Sequence, residues 1–463
     1  AKAGPAAPRQ ARSPDWRSRP LKPAPTEKRP PMSIARTLYS LLTWAAQPLL
    51  KRKLRRRAQA EPGYAQAVPE RFGYYCPDTL GRDGAGQWVW IHAVSLGETR
   101  AAALLINTLR TNLPQLRLLL THSTATGRAE GQKLLLPDDV QVWLPWDTPA
   151  AVQRFLQQFQ PLVGVLMETE VWPNLVAGCQ RAGVPLVLTN ARLNAQSFAG
   201  AKRWSALSRP AYAALAAVLA QTTQDAERLR QLGAPQPSVL GNLKFDVQPD
   251  PALLALGASW RSASRRPVLL LASSREGEEA LWLQAWRSTP AAQQVQWLIV
   301  PRHPQRFDAV AQLLADAGLR VARRSQWGER LPPHNVDVWL GDSLGEMPLY
   351  YASAHAALLG ASFAPLGGQN LIEAAACACP IVLGPHTFNF AQAAEQACAS
   401  GAAVRASDMH DGVHQALNWL YDSDALDAAH QAALAFAQAH RGAAQAQAQA
   451  IVRVMLQKKY SNP

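Results

Sequence analysis

The stretch Gly341–Phe390, GDSLGEMPLYYASAHAALLGASFAPLGGQNLIEAAACACPIVLGPHTFNF, decides the fold of this chain. It reads as loop, helix, apolar strand (Ala356 to Gly360), glycine-rich turn, helix and apolar strand (Pro380 to Gly384), the order of a parallel α/β unit. Gly367 and Gly368 allow backbone to approach a ligand closely. Asn370 is set to N-cap the next helix, with Glu373 at the capping-box spacing. Free backbone N–H groups at a positive helix end suit a phosphate, and Glu373 is placed to accept hydrogen bonds from a ribose. That combination is the chemistry of a nucleotide-linked donor.

The same alternation runs outward through the chain. Trp88–Val94, Leu116–Leu120, Val142–Leu144, Leu162–Met167, Pro185–Leu188 and Ala216–Ala220 read as buried strands, with amphipathic segments at Glu98–Arg110, Ala150–Phe159 and Ser197–Ala214. After the polar segment Val247 to Arg266, a second set begins: Val268–Ala272, Trp297–Val300, Val336–Leu340, Ala356–Gly360 and Ile381–Leu383. Unbroken apolar strands separated by helices imply parallel sheets covered on both faces. The expectation is therefore two doubly wound Rossmann-like domains facing a central cleft. The Ala/Gln tract 443–450 favours a closing helix. Ligands in such sheets bind beyond the carboxyl ends of strands. Polar clusters stand at those ends: Ser95–Glu98, Thr121–Gly127, Glu168–Asn174, Asn190–Arg192, Ser273–Glu279 and Pro301–Pro304.

At 463 residues the chain exceeds one ordinary core. Its net charge of +14 suggests a nucleic-acid binder, but residues 1–57 hold 15 Lys/Arg against two acids. The remainder carries 32 bases against 31 acids, so the body is nearly neutral, with no aromatic-rich basic face for a nucleic acid. Residues 1–31, rich in Pro, Ala, Ser and Arg, read as a disordered extension, and Met32 as a candidate start. Residues 32–57 read as a membrane-associating unit: the apolar run Ile34–Leu50, interrupted by Arg36, then the basic KRKLRRR of 51–57. The run is near the minimum for a bilayer span, and the basic cluster lies on the wrong side for a secretory signal. A helix held at the surface of an anionic membrane fits better, and the competing reading packs it on the first domain. The five cysteines (76, 179, 377, 379 and 398) contain no CxxC pair and read as reduced thiols. His410 and His414 share a helical spacing without a third ligand, so no metal site is expected.

Taken together, WIHAVSLGETRAA, METEVWPNL, NARLNAQSF, GNLKFD, ASSREGEE, PRHPQRF, GDSLGE and GGQNLIEAA…GPHTFNF resemble the bacterial 3-deoxy-D-manno-octulosonic acid (Kdo) transferases of lipid A biosynthesis. The motifs keep that family's order and cover roughly residues 33 to 455. The resemblance implies the two-domain GT-B glycosyltransferase fold. It implies transfer of Kdo from CMP-Kdo to the lipid A precursor at the cytoplasmic face of the inner membrane, with no cofactor. It makes Glu98 the general base, supported by Glu168 and Lys244. It lays CMP on Pro301 and Arg302, on Leu344, Gly345 and Glu346, and on Asn370, Leu371, Ile372 and Glu373. Gln369 replaces the family's usual histidine, and Ser274-Arg275 a common Thr-His. The domains are then 58–246, on the acceptor side, and 247–463, holding the CMP-sugar and ending in the terminal helix.

The residues support several of these roles by themselves. A carboxylate at a strand end, such as Glu98, can take a proton from an acceptor hydroxyl, although an acid in a first helical turn also simply favours the helix. Arg302 and Lys244 are candidates to offset leaving-phosphate charge. Glu168 and Glu170 fall on opposite faces of an extended chain, so only one, Glu168, is expected to face the cleft. Arg192, Lys202 and Arg203 suit an anionic acceptor. A GT-B enzyme using another nucleotide sugar, such as a UDP-hexose, is the alternative.

Overall fold

The computed structural model describes residues 33–76, 88–328 and 330–461; the segment 1–31, read above as disordered, lies outside the described residues. The first sheet contains β1 (Trp88–His92), β2 (Arg117–His122), β3 (Val140–Trp143), β4 (Val163–Met167), β5 (Leu186–Ala191), β6 (Ala217–Ala220) and β7 (Ser238–Val239). The second contains β8 (Val268–Ser274), β9 (Gln296–Pro301), β10 (Val321–Arg323), β11 (Val338–Leu340), β12 (Ala356–Leu359), β13 (Ile381–Leu383) and β14 (Ala403–Arg405). Their spatial orders are β3-β2-β1-β4-β5-β6-β7 and β10-β11-β9-β8-β12-β13-β14, with parallel pairing throughout.

Strand alternation explains the layers. In β1, Trp88 and Trp90 enter one core with Phe155 and Phe159, while Val89 and Ile91 enter the core on the opposite face with Leu105 and Ile451. In β8, Val268 and Leu270 face Trp260 and Trp339, and Leu269 and Leu271 face Trp282 and Trp297. Each large side chain so buried contributes roughly 1.5–3 kcal/mol.

The strands that the sequence pattern omits, β7, β10 and β14, are all edge strands of two or three residues. With one neighbour and a wet face, they lack the unbroken apolar run that identifies a central strand. The amphipathic segment 197–214 forms two helices, Ala195–Arg203 and Ser205–Ala213, joined at Trp204. The apolar run 34–50 is likewise divided. One helix spans Ile34–Ala45, and a second, with Pro48 in its first turn, carries the basic cluster through Gln47–Ala60. Among the described residues, no helix is long and apolar enough to cross a membrane.

One expectation is corrected. The terminal helix, Ala443–Ser461, belongs with the first sheet rather than with the domain that precedes it in sequence. Its Ala443, Ala444, Ala448, Ile451 and Val454 pack into the core beside Leu105 and Leu219. Asp246, at the boundary between the sheets, fixes the turn: its carboxylate accepts from the backbone N–H groups of Gly442 and Ala444. An alanine-rich face allows this close return, and its packing partners lie nearly two hundred positions or more earlier in the chain.

Candidate active site

Strand order reverses between β1 and β4, and the crevice beyond their carboxyl ends is where an open α/β sheet binds ligands. Glu98 follows β1 and Glu168 follows β4. Ser95 caps the helix Leu96–Asn112 by accepting from the Glu98 N–H at 3.3 Å. The Glu98 carboxylate folds back, accepting from Val94 N–H at 2.8 Å and from the Ser95 hydroxyl at 3.1 Å. The helix-start role and a place in the crevice thus coincide in one residue. Burial pushes the Glu98 carboxyl up to about 7, the charges of Glu168 and Glu170 push the same way, and its two hydrogen bonds oppose them. A carboxylate that exchanges its proton near neutrality is suited to general-base work.

Glu168 has φ +55°, so the chain turns instead of continuing extended. The extended register on which only Glu168 was expected to face the cleft therefore does not hold, and the charges of both acids act on Glu98. Arg192, at the end of β5, pairs with Glu168 at 2.9 Å. Glu170, which sequence reasoning passed over, accepts from the Trp172 indole at 2.8 Å. Burial holds its carboxyl above the usual range, and Glu168 adds to the shift. Behind these carboxylates His92 is fully buried, with Nε2 3.9 Å from Glu170. Burial lowers His92 to about 3 and His122 to about 4, so both imidazoles are neutral at working pH.

A buried amide hub supports this cluster. Asn190, at φ +48°, accepts the Leu243 N–H on Oδ1 at 3.1 Å. Gln447, from the terminal helix, accepts from Asn190 N–H at 2.9 Å and from the Thr189 hydroxyl at 2.5 Å, and donates to the Gly241 carbonyl at 3.0 Å. Thr189 in turn accepts the Glu168 N–H at 3.0 Å. The Glu168 backbone and the turn that leads into Lys244 are thereby tied to one network, which Arg192 joins through its ion pair with Glu168. Nothing in the residue types of 443–450 announces it, because Gln447 sits in a low-complexity tract.

In the second sheet the order reverses between β8 and β12. Ser273, at φ +56°, lies where the β8 register shifts, and a Cβ on Gly360 would come within 2.3 Å of its carbonyl. Glu278, fully buried, collects the N–H groups of Arg275, Ala361, Phe363 and Ala364. Glu279 accepts from Ser274 and Arg306 at 2.6 Å each. Glu278 and Glu279 of ASSREGEE therefore shape the two loops from beneath, while Glu276 is exposed and pairs with Arg275.

The loop 367–373 partly follows expectation. Gly367 and Gly368 have φ +92° and +79°. At Gly367 a Cβ would strike Asn389 and Phe388, so this glycine is required by the neighbouring loop. Asn370 caps Leu371–Ala376, accepting from Ile372 N–H at 3.2 Å, and the helix is only six residues long. Burial raises Glu373, while the charges of Arg100 and Arg302 pull it down. Those charges come from both lobes, and Arg100, whose own ion pair is with Glu130 at 3.0 Å, lies outside the sequence expectation.

Arg302 is exposed beyond Pro301, the last residue of β9. Lys244 reaches across to the Phe390 ring, 5.7 Å from its centroid. Leu344 is 72% exposed and Gly345 has φ +83°. Glu346, however, is occupied: Arg324 grips it bidentately at 2.8 and 3.0 Å, with Ser343 at 2.5 Å. Lys202 and Arg203 are exposed in the last turn of their helix, and Lys202 lies over Phe198.

Comparison with known proteins identifies the family. Residues 66–247 match the family model described as 3-deoxy-D-manno-octulosonic-acid transferase (kdotransferase). A 3-deoxy-D-manno-octulosonic acid transferase of Bordetella pertussis is 46% identical over 428 residues, covering 89% of this chain and 97% of that protein. A transferase of the same name from Haemophilus influenzae is 32% identical, covering 84% and 91%. Among solved structures, a glycosyltransferase from Rickettsia africae is similar in fold alone, with 11% identity, 80% of this chain and 99% of that one covered, and a TM-score of 0.54. The parallel two-sheet architecture is the GT-B arrangement. With that identity sustained over nearly the whole length of its relatives, the chain belongs to the 3-deoxy-D-manno-octulosonic acid transferase family of glycosyltransferases.

Proposed function

We propose that this protein transfers Kdo from CMP-Kdo to the lipid A precursor by a single inverting displacement, with Glu98 as general base. The observation that carries this reading is the Glu98 carboxyl, raised to about 7 at the strand-order reversal and flanked by Glu168 and Glu170. Glu98 takes the proton of the acceptor hydroxyl as its oxygen attacks the anomeric carbon. The bond from that carbon to the phosphate oxygen breaks, and CMP departs with the electron pair. The anomeric centre passes through an oxocarbenium-like state, as in glycoside hydrolysis. Arg302, Lys244 and the backbone of 367–372 offset the developing phosphate charge, in a scheme that draws only on protein groups.

Glu373 is the ribose partner, and the exposed Leu344 with Pro301 gives the base an apolar face. Glu346 is assigned to holding that loop through Arg324, so donor contacts there fall to the backbone of Leu344 and Gly345. Arg192, Lys202 and Arg203 face the acceptor's anionic groups. A UDP-hexose donor is not favoured, since the family relatives are named for Kdo transfer.

The test is to incubate purified protein with CMP-Kdo and tetraacylated lipid A precursor and weigh the product. A mass gain of one or more Kdo units, abolished by Glu98→Ala, is the expected result; tighter binding of UDP than of CMP would overturn it.

The membrane-facing segment completes the reading. Ile34, Leu38, Leu41, Leu42 and Leu49 recur at helical spacing and are all exposed, with Trp44 beside them. Lys51, Arg52, Lys53, Arg55, Arg56 and Arg57 follow, exposed as well. An apolar stripe ending in a basic cluster fits a helix lying in the interface of an anionic membrane, here the cytoplasmic face of the inner membrane.

A further inference from the structure

We propose that Tyr39 and Asp147 form a polar latch that locks the membrane-lying helix Ile34–Ala45 to the acceptor-side lobe. The latch thereby fixes how the crevice is presented to a lipid surface. The proposal rests on the membrane reading given above.

The helix is turned the opposite way from an ordinary surface helix. Its apolar side chains point outward, and its inward face holds Arg36, Tyr39, Ser40 and Thr43, all partly buried. None of its residues is fully buried, so the apolar packing that normally holds a helix in place is largely lacking. A groove of about 500 Å³ even runs beside it, between Leu41 and Trp44 on one side and Phe72, Pro149 and Ala151 on the other. Side-chain hydrogen bonds take over the attachment. The Tyr39 hydroxyl donates to Asp147 Oδ2 at 2.9 Å, and the single proton of the Ser40 hydroxyl is shared between Asn174 Oδ1 at 2.9 Å and the Arg36 carbonyl of its own helix at 2.7 Å.

Asp147 faces two ways. The helix Pro173–Arg181 has no cap from its own Trp172. Asp147 supplies one from outside, accepting from Asn174 N–H at 3.0 Å and Leu175 N–H at 2.7 Å, while its carbonyl receives the Asn174 amide at 2.9 Å. A carboxylate is favoured at that helix start. The capped helix follows directly on the turn that carries Glu168, Glu170 and Trp172. A single carboxylate therefore joins the lipid-facing helix to the segment bearing the active-site acids. Charge-assisted hydrogen bonds of this kind fix geometry better than neutral ones.

Tyr39→Phe deletes one hydroxyl and leaves the Asp147 cap on Pro173–Arg181 in place. Three measurements on the full chain test the latch. Flotation with phosphatidylglycerol/phosphatidylethanolamine vesicles should be retained within about two-fold, because the apolar stripe and basic cluster are intact. Transfer to acceptor dispersed in detergent should match wild type. Transfer to acceptor embedded in the vesicles should fall by about ten-fold, together with a similar rise in amide exchange across 34–45, the scale of one charge-assisted bond lost. Ser40→Ala should act in the same direction and add to it.

Vesicle-phase transfer and exchange equal to wild type in both variants would overturn the latch. Equal losses in detergent and vesicles would also overturn it, since orientation would then be irrelevant. If wild type itself fails to float with vesicles, the membrane reading fails instead, and the two failures are told apart by that control.

Discussion

The mechanism proposed above requires Glu98 to ionise near neutrality without ceasing to cap its helix. Glu98→Gln retains an oxygen for the Val94 N–H but cannot accept a proton, so kcat should fall by about 10²–10⁴-fold in a product-mass assay. In wild type, kcat/KM should rise with pH through an apparent value near 7, set by burial and by Glu168 and Glu170. Stability runs the other way. A carboxyl raised in the folded state binds more protons there than in the unfolded chain, so its ionisation costs stability as pH rises from about 4.5 to about 7. Glu98→Gln should accordingly unfold at a higher temperature than wild type at pH 8, with the difference vanishing toward pH 4. Arg192 neutralises Glu168 at 2.9 Å. Arg192→Ala should leave more negative charge beside Glu98 and move the acidic limb of the pH profile upward by roughly half a unit. A limb that stays in place would show that Glu168 and Glu98 are uncoupled.

The terminal helix is the element on which most depends. Its Gln447 satisfies groups of Thr189, Asn190 and Gly241 that are otherwise shut away from water. Gln447→Leu keeps the volume but leaves the Asn190 N–H and the Gly241 carbonyl without partners, a cost of about 2–4 kcal/mol. Thermal unfolding followed by circular dichroism should show the loss. Turnover should drop with KM for CMP-Kdo little changed, because the hub positions Glu168, Arg192 and Lys244 rather than the loop 367–373. The same element shows why part of the site was hidden. Glu98, Glu168 and Arg192 stand in motifs that follow strands, whereas Gln447 becomes legible only once its helix is folded against β5.

At the scale of the whole molecule, charge is divided between a basic arm and a nearly neutral body. Vesicle binding should therefore weaken steeply between about 0.05 and 0.5 M salt, as screening shortens the reach of the cluster 51–57. Removal of residues 33–57 should abolish flotation while leaving CMP affinity, measured by calorimetry, within about two-fold. The cleft has its own cross-lobe signature in Arg100 and Arg302 acting on Glu373. Lys244 against Phe390 is a second link between the lobes.

The sequence by itself determined the two parallel sheets and the strand ends at which polar residues gather. Buried central strands must be apolar along their length, and polar residues just beyond them stand out against that background. It also placed Glu98, Arg192 and Arg302 in those clusters. Only the tertiary structure decided that Glu170 joins Glu168, because a left-handed backbone at 168 overrides the two-residue alternation of an extended chain. It alone decided that Glu346 is occupied by Arg324, that the last helix returns to the first sheet, and that the helix Ile34–Ala45 is bonded to Asp147 through Tyr39. Those outcomes depend on contacts between residues far apart in the chain, and local periodicity carries no record of them.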